Sequence, residues 1–171
     1  VHTWSGSGIW TIPLNNGYVA SYSKKMLYEQ GIDSQYKIFK DPKLIFDEIE
    51  RNKPDVIGLS FYVWNTNLNK KVFDFAKKIN PNVLNVGGGP HFTNINANEK
   101  GGMKFFSEIE SCDVYVINQG EKGFLEVLRK FVDSKYNTEN LKKLDIRGSI
   151  VNSLEHKNNV IVGENIGTLT N

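Results

Sequence analysis

Cysteine is nearly absent from this chain: Cys112 stands alone among 171 residues. A lone thiol excludes an internal disulfide. It also excludes an iron–sulfur cluster held by several cysteines of this chain. Long apolar runs are lacking too. None approaches a membrane span, and the first residues lack the charged-then-apolar pattern of a signal peptide. Neither sign of charge dominates. With 21 basic and 19 acidic side chains the net is +2, so no basic footprint for nucleic acid is visible. There is no internal repeat and no low-complexity tract. An initial methionine is absent as well, and the start at Val1 suggests an excised piece of something longer. What is present is 39% apolar and 23% charged, the balance of one globular domain with a real core. A cytoplasmic setting is the expectation.

The most informative stretch is Val83-Leu84-Asn85-Val86-Gly87-Gly88-Gly89-Pro90-His91. An apolar strand runs straight into three glycines, a proline and a histidine. Glycines at the carboxyl end of a strand admit a close backbone approach that a Cβ would block. In an open α/β sheet that end is where ligands sit. Val56 to Tyr62 and Val114 to Glu121 repeat the pattern, each an apolar strand ending in small or polar residues. One binding edge accounts for all three.

Strands and helices alternate along the chain. Tyr18 to Gln30 reads as a helix with Val19, Tyr22 and Met26 on one face and Gly31 as its stop. Ser34 to Phe39 reads as a strand. Asp41-Pro42 is an N-cap followed by a first-turn proline, opening a helix to about Asn52. Further helices are expected over Asn67 to Ile79, Ala97 to Ile109 and Glu121 to Val132, each after a buried strand. A first strand would lie at or before Val1 to Trp4, followed by a long loop from Ser5 to Gly17. After Lys135 two short strands, Leu144 to Val151 and Asn159 to Val162, suggest a hairpin, and Gly163 to Asn171 reads as a linker. The repeated βα units predict a doubly wound, flavodoxin-like (Rossmann-like) α/β domain. Its parallel sheet would have about five strands and a short C-terminal β-hairpin.

Taken in order, four segments resemble the cobalamin (B12)-binding domain that precedes the catalytic barrel in many radical SAM enzymes. Ile12 to Tyr22 resembles the family's proline-leucine-glycine entry to its first helix. Lys53 to Ser60 resembles its central strand. Gly88-Gly89-Pro90-His91 matches its glycine-glycine-proline-histidine turn. Gly120-Glu121-Lys122-Gly123 stands where the family usually has glycine-glutamate-glycine-glutamate. The resemblance implies residues 1–135 as the cobalamin-binding-like domain and 136–171 as hairpin and linker leading toward a radical SAM barrel of the same polypeptide. It implies cobalamin as the cofactor and methyl transfer as the reaction type. S-adenosylmethionine and an iron–sulfur cluster would belong to the barrel alone, so this chain would not be catalytic by itself. Ser60, Gly88 and Gly89 would admit the nucleotide tail, and Gly17, Tyr62, Gly120 and Glu121 would edge the corrin. Asn16, Phe61, Gly87 and His91 complete the expected contact set. Two departures stand out: Tyr62 replaces a leucine, and no Asp-x-His-x-x-Gly motif supplies a histidine for cobalt.

Several of these residues have a plainer role beside the sharper one. The three glycines suit a tight turn, and Ser60 an ordinary strand-end hydroxyl. Tyr62 and Trp64 suit either the core or a lid against a flat macrocycle. Asn65 and Thr66 suit caps of the next helix. His91 suits a hydrogen-bonded turn better than cobalt ligation, and no metal ligand is assigned. Glu121 at a helix start is favoured by the dipole alone. Two rivals follow: a scaffold or interaction domain of the same family that binds no cofactor, and a nucleotide-binding module. The second needs a phosphate cradle. Ser5-Gly6-Ser7-Gly8 lies too far from the first helix to make one.

Overall fold

The structure, a computed structural model, describes residues 13–92, 97–153 and 160–166. The expected first strand, the Ser5-Gly6-Ser7-Gly8 run, His2 and His156 lie outside the described residues. Helix α1 spans Leu14–Tyr28 and α2 Pro42–Asn52. Strand β1 (Val56–Ser60), α3 (Thr66–Ile79), β2 (Leu84–Gly88), α4 (Glu99–Glu108), β3 (Val114–Val116) and α5 (Gly120–Asp133) follow. The chain closes with α6 (Thr138–Leu141), β4 (Ser149–Asn152) and β5 (Val160–Val162).

Local chemistry sets the helix ends. Gly31 takes φ +77°, the Gly31 amide donates to Tyr28 and that of Ile32 to Leu27, which is the paired closure of a Schellman stop. At the start of α2 the Asp41 carboxylate accepts from the Lys43 amide at 2.8 Å, with Pro42 in the first turn.

The five strands lie in the order β1-β2-β3-β4-β5. The first three are parallel, and β4 and β5 run antiparallel. The C-terminal hairpin therefore extends the main sheet. Two expectations change in detail. Ser34 to Phe39 alternates half-buried and exposed residues along most of its length but joins no ladder among the described residues. The short helix α6 was not expected; Asn137 caps it through the Asn140 amide at 2.8 Å.

Both faces of the sheet are covered. On one, Ile57, Leu59 and Tyr115 pack with Ile49 of α2, Val72 and Phe73 of α3 and Phe105 of α4. On the other, Leu84, Val86, Val114 and Val116 pack with Val127 and Phe131 of α5 and Leu141 of α6. Leu27 of α1 joins Leu125 and Leu128 of α5 in a smaller cluster. This is the two-faced winding that parallel βα units require. Strand alternation then sends Gly58 and Ser60 toward the α1–α5 side, where a Cβ on Gly58 would sit 3.5 Å from Phe124 and the Ser60 hydroxyl meets Asn16. Cys112 lies between β2 and β3, fully buried, its Sγ 3.4 Å from the Val114 carbonyl.

Candidate binding site at the carboxyl edge of the sheet

Three parallel strands end at the same edge. Ser60 pairs in register with Gly88, and β3 ends beside them at Val116. The expected convergence of Ser60, Tyr62, Gly88, Gly89 and Gly120 depends on this register. A one-residue slip would have turned Ser60 to the opposite face. From the α1 side, Asn16 in the first turn accepts a hydrogen bond from the Ser60 hydroxyl at 2.8 Å. Gly120 opens α5 against α1, its missing Cβ only 3.3 Å from Val19. Gly17 has open space where a Cβ would stand.

The three consecutive glycines have three different surroundings. A Cβ on Gly87 would lie 2.8 Å from the Tyr115 ring, so that position is taken by core packing. Gly89 has φ +102°, and a Cβ there would meet the Phe61 carbonyl oxygen at 2.9 Å. Gly88 alone leaves room: the nearest atoms to its missing Cβ belong to Val116, at 3.8 Å or more. It faces the side on which Ser60 meets Asn16.

The backbone around these residues is held firmly. The Phe61 amide donates to the Gly88 carbonyl at 2.6 Å, and the His91 amide to the Phe61 carbonyl at 3.3 Å. Asn65 and Asn69 both donate to the Ser60 carbonyl at 2.9 Å. The Asn65 carboxamide oxygen also accepts from the Tyr62 amide at 2.8 Å, so Asn65 clamps the loop rather than capping α3. Thr66 donates to the Tyr62 carbonyl at 3.0 Å.

The aromatic residues at the edge divide between solvent and core. Tyr62 and Trp64 stack at 4.7 Å with their planes 17° apart, and Trp64 is 61% exposed. This pair stands outside the core. Phe61 does the opposite, its ring fully buried among Phe73, Phe105 and Tyr115. Only its backbone reaches the edge. His91 is half-buried against Phe61, Phe92 and Phe105. Burial pushes its imidazole below the ordinary histidine value, against the opposing pull of Glu108. Glu121 stands in the first turn of α5, at the positive end of that helix. Among the described residues no group of three or more His, Cys, Asp or Glu side chains could hold a metal ion.

Sequence reasoning did not single out Tyr115, Asn69 or Gln119. Tyr115 is hidden in an apolar strand, yet a buried phenol needs a partner, and that rule points to it. Gln119 enters α5 with its Oε1 buried and unpaired, as is the Asn69 Oδ1. A strand-end hydroxyl, a glycine whose Cβ space is open and an unpaired acceptor at the α5 entry fit the long, polar tail of a corrinoid better than a metal ion.

This geometry defines an open α/β domain whose three parallel strands end at one common edge. The family described as "B12 binding domain" matches residues 19–128, and the chain belongs to that family. It is similar to the cobalamin-dependent radical SAM methyltransferase TokK of Streptomyces tokunonensis, with 32% identity over 122 residues. It is also similar to the 2-(S-pantetheinyl)-carbapenam-3-carboxylate methyltransferase of Streptantibioticus cattleyicolor, with 30% identity over 122 residues. Each match covers 68% of this chain and 16% of the relative. No helix among the described residues is long and apolar enough to cross a membrane.

Proposed function

We propose that this chain holds a cobalamin at the carboxyl edge of its sheet, as the corrinoid-binding part of a radical SAM enzyme of the methyltransferase type. The observation that carries the reading is the Ser60–Gly88 register, which sets a hydroxyl-bearing strand end beside the one glycine of the Gly87–Gly89 run whose Cβ space is open. In this reading Ser60 and Gly88 line the tail channel, with Gly87 and Gly89 shaping its turn. Asn16 and Gly17 enter from α1, and Gly120 and Glu121 from α5. Tyr62 and His91 stand at its rim. A bound corrinoid supplies a carrier for a methyl group; the residues of this chain bind and orient it. S-adenosylmethionine and an iron–sulfur cluster belong to the barrel, which residues 136–171 lead toward.

The test is titration of the chain with hydroxocobalamin, followed by absorbance. The wild type is expected to bind, and Gly88→Val to lose binding while remaining folded. Unchanged affinity in Gly88→Val would mean the glycines serve only as a turn. A colourless, cobalt-free wild type that takes up no cobalamin would favour a scaffold instead. A three-cysteine cluster in the coding sequence beyond Asn171 tests the radical SAM assignment separately.

A further inference from the structure

We propose that Tyr115 is a positioning residue for the corrinoid's nucleotide tail, its phenol hydroxyl holding the glycine turn so that Gly88 presents bare backbone to the tail channel. The inference rests on the corrinoid reading above and concerns a residue that does not itself face the channel.

Tyr115 lies in the middle of β3, in register with Gly87. Its side chain is fully buried on the α3–α4 face. The ring takes the space that the missing Cβ of Gly87 leaves, 2.8 Å from where that atom would stand. Phe92 and Phe105 pack edge-on against it at 4.7 and 4.9 Å. This packing directs the phenol at the turn, and its hydroxyl donates to the Gly89 carbonyl at 2.9 Å. Burial pushes the phenol well above the ordinary tyrosine value, so it stays a donor wherever the protein is folded.

The turn is thereby held from both neighbouring strands. The carbonyl of Gly88 accepts from the Phe61 amide just past β1, and that of Gly89 accepts from Tyr115 on β3. Two adjacent carbonyls fixed in this way set the plane of the peptide between them. That plane decides how the Gly88 Cα faces the α1–α5 side. Without the hydroxyl the Gly89 carbonyl is free to turn toward water, since Gly89 itself is exposed. The channel wall would then have to be ordered at the moment of binding, which weakens affinity without removing a contact to the ligand.

A tail-less corrinoid separates this role from a merely structural one. The full chain, as wild type and as Tyr115→Phe, is titrated with hydroxocobalamin and with cobinamide, which lacks the nucleotide tail. Tyr115→Phe is expected to weaken hydroxocobalamin about tenfold and to leave cobinamide unchanged. Gly87→Ala, which presses on the same ring from the sheet side, is expected to give the same selective loss. Unchanged hydroxocobalamin affinity in both variants, or equal losses for the two corrinoids, would overturn the inference and leave the corrinoid reading standing. A wild type that binds neither corrinoid would overturn both.

Discussion

The two ends of the same three parallel strands are built on opposite plans. At the amino end charges meet and cancel. Asp113, only 2% exposed, accepts from Lys77 at 2.7 Å and from the Asn85 amide at 2.8 Å, with Lys142 at 3.9 Å. Lys77 also donates to the Val83 carbonyl at 2.7 Å. A surface depression of about 400 Å³ opens there, where Lys70 pairs with Asp74 and Lys142 with Glu139. At the carboxyl end the strands finish in uncharged groups, a serine, asparagines, glycines and a stacked tyrosine–tryptophan pair, with Glu121 at the start of α5 and His91 beside them. The amino end satisfies itself, whereas the carboxyl end holds its backbone rigidly and leaves space over Gly88. A buried charge is costly unless it is paired, and Asp113 keeps its partners at the end of the sheet opposite Gly88.

Breaking the amino end should cost the most stability. Asp113→Ala strands Lys77 and Lys142 beside buried backbone, and unfolding in urea is expected to show a loss of about 3 kcal/mol. Corrinoid affinity should not change. A loss below about 1 kcal/mol would mean that the charges do not secure that end. The glycine turn sharpens the comparison within one edge. Gly87→Ala drives a methyl into the Tyr115 ring and is expected to cost about 2 kcal/mol. Gly88→Ala meets open space and is expected to change stability by less than about 1 kcal/mol. Equal costs for the two would erase the distinction between the glycine packed on Tyr115 and the one with open space.

A smaller effect concerns the tie between α1 and the sheet. Ser60→Ala and Asn16→Ala should each cost about 1 kcal/mol, and the double variant no more than either alone. Full additivity would show that the Ser60–Asn16 hydrogen bond does not hold α1. The smallest expected effect is a pH slope at His91. Burial lowers its folded pKa, so the fold binds this proton less readily than the unfolded chain does. Its contribution is therefore present above about pH 6.5, the ordinary histidine value, and is lost as pH falls through the folded value. Melting temperature in His91→Phe should fall less between pH 7 and pH 5 than in the wild type. Parallel curves would assign the slope to other groups.

Much of this arrangement was legible in the residue order. Apolar strands that end at Ser60 and at Gly87 to Gly89, and one followed by Gly120, marked a common edge of the sheet, because strands of successive βα units run parallel and finish together. Helix stops such as Gly31 and the Asp41-Pro42 start carry their own stereochemistry and were equally plain. The different jobs of the three glycines were not legible, since each depends on what lies across the sheet: Tyr115 for Gly87, Phe61 for Gly89, empty space for Gly88. The role of Asn65 was half-visible, its polarity marking a loop but not which amide it would clamp. Ser34 to Phe39 shows what alternation reports: a half-buried extended segment, which joins no ladder among the described residues.

Cys112 gives this molecule a built-in clock. Burial holds its thiol far above the ordinary cysteine value, and only the thiolate reacts with an alkylating reagent. Labelling must therefore wait until the seam between β2 and β3 opens, and with one cysteine each modified molecule has opened at a known place. At low reagent concentration the labelling rate tracks the population of the opened form. A ligand that binds only the closed sheet should slow the clock in proportion to its occupancy, by mass action.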